Sequence, residues 1–141
     1  MSEPIKINTD KYTSQGKVDI DGNIWDVKLP GAGSQLRFSQ ASRACKSLAA
    51  RIELIDKKIN QVTYTEEDLD KYDDYCKNYD ANEKIVYDVF VNTFHDGTDT
   101  NQSVKTWIYD TPLPVIMLAF EDVQKQAEGK LDEPEASEES N

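Results

Sequence analysis

The residues most able to do chemistry are the single histidine, His95, and the two cysteines, Cys45 and Cys76. No cysteine or carboxylate lies near His95 in sequence at the spacing of metal ligands. Neither cysteine has a recognisable base. Both cysteines fall on the apolar side of a predicted helix, so we expect two buried, unpaired thiols that pack as small hydrophobic groups. Because no glycine-rich phosphate loop is present either, we predict a protein that is not an enzyme and uses no cofactor or metal.

The segment from His95 to Asn101 is rich in side-chain oxygens and loosely resembles a calcium loop. In a calcium loop the glycine and a bidentate glutamate occupy fixed positions, and Gly97 is misplaced while the glutamate is missing. The pattern therefore favours a polar loop that only reverses the chain.

Composition restricts the function further. The chain of 141 residues has a net charge of -11, which argues against binding nucleic acid. The charge is uneven: residues 34–60 hold six basic and two acidic side chains, whereas residues 65–84 hold three basic and eight acidic ones. The alternating sign predicts that these two segments attract each other. The longest apolar run, 115–120, is far short of the roughly 18 residues of a membrane helix, and the N-terminus lacks the layout of a secretory signal, so we expect a cytoplasmic protein.

The first predicted element is a β-hairpin. Val18 and Ile20 alternate with polar residues before a Gly22-Asn23 turn, and Trp25 and Val27 alternate after it. A type II′ turn at these two residues would place Ile20 opposite Trp25 and Val18 opposite Val27.

A long helix is predicted from Ser39, which is placed to cap it. Its apolar stripe recurs at steps of three and four: Ala41, Cys45, Leu48, Ile52, Ile55 and Ile59. The stripe fits a core-facing helix, and its near-heptad spacing leaves open a seam for self-association. Leu36 to Phe38 fit either a third strand or the start of this helix.

Two further helical patterns follow. One begins at Thr65 with acids in its first turn, and it ends near Tyr79 or continues directly into the next helix. The second pattern, from Asn82 to Phe94, has two adjacent apolar rows and forms the centre of the predicted core. Asp80 is placed to cap this helix and Gly97 to end it.

The last two helices are predicted over 102–109 and from Thr111 onward, with Pro112 and Pro114 in the first turn of the final helix. This helix is apolar over a wider surface than one groove needs, so we predict that part of it binds a partner. The candidate partner-binding residues are Val115, Ile116, Leu118, Phe120 and Val123.

Together these elements predict an α+β, mainly α fold: an N-terminal β-hairpin followed by four or five packed helices. We expect a flexible arm over residues 1–14, one globular domain over 15–128 and a disordered acidic tail over 129–141.

Three segments carry a family resemblance: the hairpin from Val18 to Trp25, the helix from Ile85 to Phe90 with Phe94, and the segment from Thr111 to Ile116 that leads to Val123. Their layout, from Gly16 to Val123, resembles the tail assembly chaperones of long-tailed bacteriophages and phage-like elements. The resemblance implies a non-enzymatic helper in the cytoplasm of the bacterial host that is absent from the mature virion. Such proteins bind the tape-measure protein, and in some cases the major tail-tube protein, before the tube polymerises.

Two other classes stay open. One is an acidic DNA mimic that inhibits restriction enzymes, although the alternating charge disagrees with the continuous acidic surface a mimic needs. The other is a structural tail protein, such as a connector or completion protein, which would remain in the particle.

Overall fold

The computed structural model describes residues 3–7 and 14–132, apart from the side chains at 14–15 and 128–132. The elements in chain order are β1 (Ser14–Ile20), β2 (Asn23–Lys28), α1 (Ala32–Asn60), α2 (Glu66–Thr93), β3 (Phe94–His95), α3 (Gln102–Asp110) and α4 (Leu113–Asp132). A hairpin followed by four helices confirms the predicted α+β, mainly α class. Within the described ranges, none of the helices combines the length and the apolar character needed to cross a membrane.

Backbone contacts divide the chain into two compact units. Unit 1 comprises Met1–Pro30 and Val91–Asn141, and unit 2 comprises Gly31–Phe90. Unit 1 therefore contains the three strands, α3 and α4, whereas unit 2 contains α1 and most of α2. The single globular domain over 15–128 stays a prediction.

The hairpin forms with a turn one residue earlier than predicted. Asp21 and Gly22 both have positive φ, 54° and 85°, which is the type I′ geometry that Asp-Gly favours. The carboxylate of Asp19 accepts a hydrogen bond from the N–H of Gly22 at 2.9 Å. Val18 consequently pairs with Trp25, and Ile20 pairs with Asn23.

The predicted pairing of Ile20 with Trp25 and the type II′ turn are therefore wrong. The observed register differs from the predicted one by two residues, so the same side chains still face inward. Trp25 and Val27 are 1% and 4% exposed, as expected for residues that share the buried face of β2.

The core of unit 1 is an aromatic cluster built on this face. Val27 pairs with Phe94 in the short strand β3, which joins the edge of β2. The Trp25 ring lies 6.1 Å from that of Phe94 and 5.9 Å from that of Trp107, the latter in an edge-to-face arrangement. Phe94 was predicted to end a helix, but α2 stops at Thr93 and Phe94 contributes to the sheet instead.

The helix α1 is longer than predicted. It begins at Ala32, with Gly31 at the cap position, so Ser39 lies inside the helix and does not cap it. Leu36 to Phe38 belong to its early turns, and no strand forms there. Of the predicted stripe, Ala41, Cys45, Leu48 and Ile55 are buried, and Ile52 and Ile59 are half-buried. Most of this stripe therefore packs inside the chain, and self-association stays a prediction.

The two helical patterns after residue 65 form one continuous helix, α2, of 28 residues. Thr65 and Asp68 cap its start reciprocally: the Asp68 N–H donates to the Thr65 hydroxyl at 3.2 Å, and the Thr65 N–H donates to the Asp68 carboxylate at 2.9 Å. Of the two alternatives for the end near Tyr79, direct continuation is confirmed. Asp80 is therefore an interior residue, and Gly97 lies beyond the helix.

The two chain ends are described only in part. The helix α4 extends through Gly129 to Asp132, and residues 133–141, the rest of the tail predicted from residue 129, lie outside the described ranges. Of the predicted arm, residues 3–7 have no regular secondary structure, with Ile5 and Ile7 90% and 75% exposed. Residues 8–13 lie outside the described ranges.

The connection between α1 and α2 contains a strained residue. The N–H of Val62 donates to the carbonyl of Ile59 at 3.1 Å, and the N–H of Thr63 donates to the carbonyl of Lys58 at 2.9 Å. These are the two bonds of a Schellman motif, which usually has glycine at the left-handed position. Here Val62 adopts φ 58°, although a β-branched side chain disfavours that region, and its side chain is 80% exposed.

We expect Val62→Asn to stabilise the protein. Asparagine tolerates the left-handed region, whose cost for an L-residue is about 1–2 kcal/mol, so the free energy of unfolding should rise by about 1 kcal/mol. Urea unfolding of the full chain measures this. Val62→Ala, which keeps a Cβ atom at the same φ, should gain less; a loss of stability in Val62→Asn would contradict the strain assignment.

Candidate functional site

The predicted partner-binding residues on α4 divide between two sides of the helix. Val115 and Leu118 are 45% and 60% exposed, whereas Ile116 and Phe120 are 0% and 1% exposed. Val123 is half-buried. The prediction is therefore wrong for Ile116 and Phe120, since residues buried in the folded chain cannot make the first contact with a partner.

The division follows from helical spacing. The buried side contains Leu113, Ile116, Met117, Phe120 and Ala127. Val115, Leu118 and Asp122 recur at steps of three and four on the opposite side, and all three are exposed. We call these three residues the α4 outer face.

The start of α4 is held by the turn that follows α3. The carbonyl of Pro112 accepts hydrogen bonds from the N–H groups of Val115 at 3.0 Å and Ile116 at 3.2 Å. Thr111 donates from its hydroxyl to the carbonyl of Trp107. Pro112 was predicted in the first turn, but it lies one residue before the helix, where its carbonyl begins the helical bonding.

The loop before α3 is tied together by Asp96. Its carboxylate accepts hydrogen bonds from the N–H and the hydroxyl of Thr98, and from the N–H of Ser103 at 2.9 Å. These bonds hold the pKa of Asp96 below its ordinary value, the Thr98 hydroxyl contributing most. The oxygens that loosely resembled a calcium loop therefore fix the start of α3, and a polar loop is confirmed for residues 96–101.

Asn101 is the residue in this loop that sequence reasoning missed. It has φ 52° and is 9% exposed. Its amide donates to the carbonyls of Val91 and Phe94, and its side-chain oxygen accepts from the N–H of Asp96 at 2.9 Å. An asparagine followed by a helical pattern was the available signal, because asparagine adopts the left-handed region more readily than most residues.

His95 lies in β3, opposite Asp26, so its assignment to the loop is wrong. Its ring nitrogen Nε2 lies 3.1 Å from the carbonyl of Asn92, and the side chain is exposed. Across residues 3–7 and 14–132, no group of three or more histidine, cysteine, aspartate or glutamate side chains is arranged to hold a metal ion.

The two cysteines are free, and they differ in burial. Cys45 is 1% exposed, and burial, with a smaller contribution from Glu83, raises its pKa to about 11. A thiol with this pKa is protonated at neutral pH and is a poor nucleophile. Cys76 is half-buried, so the expectation of two buried thiols is wrong for this residue.

Unit 2 also contains a half-buried carboxyl group, that of Glu83. Burial raises the pKa of Glu83 above its ordinary value, and the charge of Asp80 acts in the same direction. The Tyr87 hydroxyl donates to this carboxylate and partly opposes the shift, while burial and Glu83 raise the pKa of Tyr87 itself to about 12. The raised pKa of Glu83 therefore makes the stability of the fold depend on pH.

An open groove in unit 2 is the second surface with a distinctive composition. Its lining residues come from α1 and α2: Arg51, Leu54, Ile55, Lys58, Asp68, Lys71 and Tyr75. The sequence did not predict this groove, because the basic side chains of α1 were considered only for the net charge of their segment. We call it the unit 2 groove.

Comparison of the chain with protein-family models, with curated proteins and with solved structures found no match in any of the three.

We expect Glu83→Gln to stabilise the protein at neutral pH. A folded-state pKa above the unfolded value means that protonation favours the folded state, so the contribution of Glu83 is full in acid and is lost as the pH rises through the raised pKa. Glutamine mimics the protonated form of Glu83. In urea unfolding, the variant should have a higher free energy of unfolding than the unchanged protein near pH 7, and this difference should disappear near pH 4. An equal advantage for Glu83→Gln at both pH values would contradict the assignment.

Proposed function

We propose that this protein is a non-enzymatic tail assembly chaperone of a long-tailed bacteriophage or phage-like element. In this proposal it binds the tape-measure protein through the α4 outer face and acts in the cytoplasm of the bacterial host. It is absent from the mature virion. The major tail-tube protein is a second partner consistent with the same role.

The exposure of Val115 and Leu118 on a helix that is otherwise anchored carries this proposal. Both side chains are aliphatic, both lie on one side of α4, and they are 45% and 60% exposed. Ile116 and Phe120 are buried on the other side, so the exposed pair is presented by a helix whose orientation is fixed. A helix of a partner that lays an apolar stripe on this face would bury both side chains.

The acidity of the chain is compatible with such a role. With a net charge of -11, copies that have bound a partner repel each other before assembly. Asp110 and Asp122 lie close in sequence to the exposed pair, and both are themselves exposed. An apolar contact bordered by carboxylates can hold an aggregation-prone segment while the complex stays soluble.

A DNA mimic is less compatible with the arrangement of charge. The exposed side chains of Arg37, Arg43 and Lys46 lie along α1, and residues 32–52 contain no acid at all. A mimic needs an uninterrupted acidic surface, and this helix interrupts it. A structural tail protein remains the alternative that experiment has to separate from a chaperone.

Leu118→Asp should weaken binding of the tape-measure protein at least tenfold. Burying one leucine is worth about 1.5–3 kcal/mol, and each 1.4 kcal/mol is a factor of ten in affinity. Calorimetric titration with purified partner measures the loss, and circular dichroism should show an unchanged fold because Leu118 is 60% exposed. Phe120 is unsuitable for this test, since a charge at a buried position would unfold the chain.

Ile24→Asp is the matched control. Ile24 lies in the same unit and is 63% exposed, but it is on β2 and outside the α4 outer face. Its substitution should change the affinity less than twofold. Equal losses for the two variants, or no loss for Leu118→Asp, would remove α4 as the binding surface.

Location in the particle separates the chaperone from a structural tail protein. Mass spectrometry of purified virions should detect the tape-measure protein and lack this chain. Stoichiometric presence of the chain in virions would favour a connector or completion protein. A reading frame directly upstream of a very long tape-measure gene is the expected genomic position.

A further inference from the structure

The unit 2 groove lies at the end of the helical pair where α1 and α2 are joined. From α1 come Arg51, Leu54 and Lys58, and from α2 come Asp68, Lys71 and Tyr75. The groove is open along one side, so a segment of polypeptide could lie in it without the two helices moving apart.

The groove has an apolar floor. Leu54 is 61% exposed, and Ile55, beside it in sequence, is 6% exposed and continues the apolar surface inward. The guanidinium carbon of Arg51 lies 5.6 Å from the centre of the Tyr75 ring, a cation–π contact that places the charge above an aromatic face. A leucine-sized side chain entering the groove would meet Leu54 and the edge of Tyr75.

The charges around this floor are mostly positive. Asp68 is the single acid in the lining, and it is engaged by the N–H of Thr65 at 2.9 Å and by the Lys58 ammonium at 3.3 Å. Lys71 pairs at 3.0 Å with Glu67, which is outside the lining. Arg51 makes no ion pair with any residue in the described ranges. A planar guanidinium of this kind is suited to bind a carboxylate through two parallel hydrogen bonds.

From the charge and the exposed leucine we propose that the unit 2 groove binds an acidic amphipathic helix of another protein. Its leucine-type side chains would cover Leu54 and Tyr75, and a glutamate or aspartate side chain would pair with Arg51, because Lys58 and Lys71 already have acidic partners. The net charge of -11 repels such a helix at long range, so binding requires the local apolar and charged contacts that the groove provides. This surface belongs to unit 2 and is independent of the proposed role of the α4 outer face.

A synthetic helix of about 20 residues, long enough to be helical in water, tests the proposal. The peptide carries leucines on one side, flanked by glutamates, and a matched peptide has glutamine at every glutamate. Fluorescence anisotropy with the full chain at low salt should show at least tenfold tighter binding of the glutamate peptide. The difference should shrink as salt is added, because exposed ion pairs are screened. Equal binding of the two peptides would overturn the proposal.

Substitutions in the full chain then locate the contact. Arg51→Glu should weaken binding of the glutamate peptide at least tenfold, and Leu54→Asp should do the same by removing the apolar contact. Both positions are exposed, so the melting temperature should change little. Lys46→Glu is the control: it makes the same charge change on the same helix, about 140° around the axis from Arg51. If Lys46→Glu weakens binding as much as Arg51→Glu, the peptide responds only to overall charge and the proposal fails.

Two other occupants of the groove, a single-stranded nucleic acid and a second copy of this chain, would give different results. A labelled oligothymidine that binds more tightly than the glutamate peptide, and loses that binding in Arg51→Glu, would make the groove a nucleic-acid site and overturn the proposal. Sedimentation of the unliganded chain as a dimer that Arg51→Glu dissociates would assign the groove to a second copy, with the same consequence. A monomer that binds the glutamate peptide in preference to both supports the proposal.

Discussion

Two buried tryptophans must each find an acceptor for an indole N–H, and the arrangement of unit 1 depends on how they do so. Trp25 on β2 donates to the Ser103 hydroxyl at 3.0 Å, and Trp107 on α3 donates to the Asp21 carboxylate at 2.9 Å. A buried N–H group without an acceptor would cost about 1–3 kcal/mol of stability. Each hydrogen bond removes this penalty and so allows the ring to be buried. The two bonds run in opposite directions between the hairpin and α3, and together they fix one element against the other.

This pair of bonds connects the hairpin turn to the α4 outer face. The left-handed Asp21 accepts a hydrogen bond from Trp107 through its carboxylate, and the carbonyl of Trp107 accepts a hydrogen bond from the hydroxyl of Thr111, two residues before α4. On the other side, Asp96 fixes the N–H of Ser103 and so holds the acceptor for Trp25. Changes in the turn or in the loop would therefore alter the direction in which α4 presents its exposed side chains.

Local periodicity predicted most elements of the fold, because steps of two, three and four reflect the geometry of strands and helices. Periodicity could not choose between two acceptable turns, and it could not show which side of a helix is covered by residues that are distant in sequence. Gly22-Asn23 and Asp21-Gly22 are both acceptable turns, and the second provides two residues at positive φ. Residues 115–123 are apolar on several sides, and only tertiary packing determines that Phe120 is covered while Leu118 is exposed. Val62 gave no signal, since a β-branched residue is not expected at a left-handed helix end.

The alternating charge of α1 and α2 produces one ion pair between the two helices, as its sign predicted. Lys58 and Asp68 form an ion pair between α1 and α2, whereas Lys57 pairs with Glu53, and Lys77 with Asp73, inside single helices. The two pairs inside single helices are exposed, and exposed pairs contribute little to stability, typically about 0–1 kcal/mol. The opposite signs on α1 and α2 are therefore a weak cause of their association, and most of the charge remains at the surface, where it can select partners.

The α4 outer face is small, and its size limits the affinity with which it could bind a partner in the proposed function. Two aliphatic side chains contribute about 1.5–3 kcal/mol each when fully buried, and part of that is lost to the entropy of association. The entropy loss would be smaller here than for a flexible segment, because the buried side chains of Ile116 and Phe120 already anchor the helix. A rigid but small contact gives moderate affinity and fast release. A helper that must leave its partner when the tail tube forms needs both properties, whereas a permanent component of the particle would need a larger buried surface.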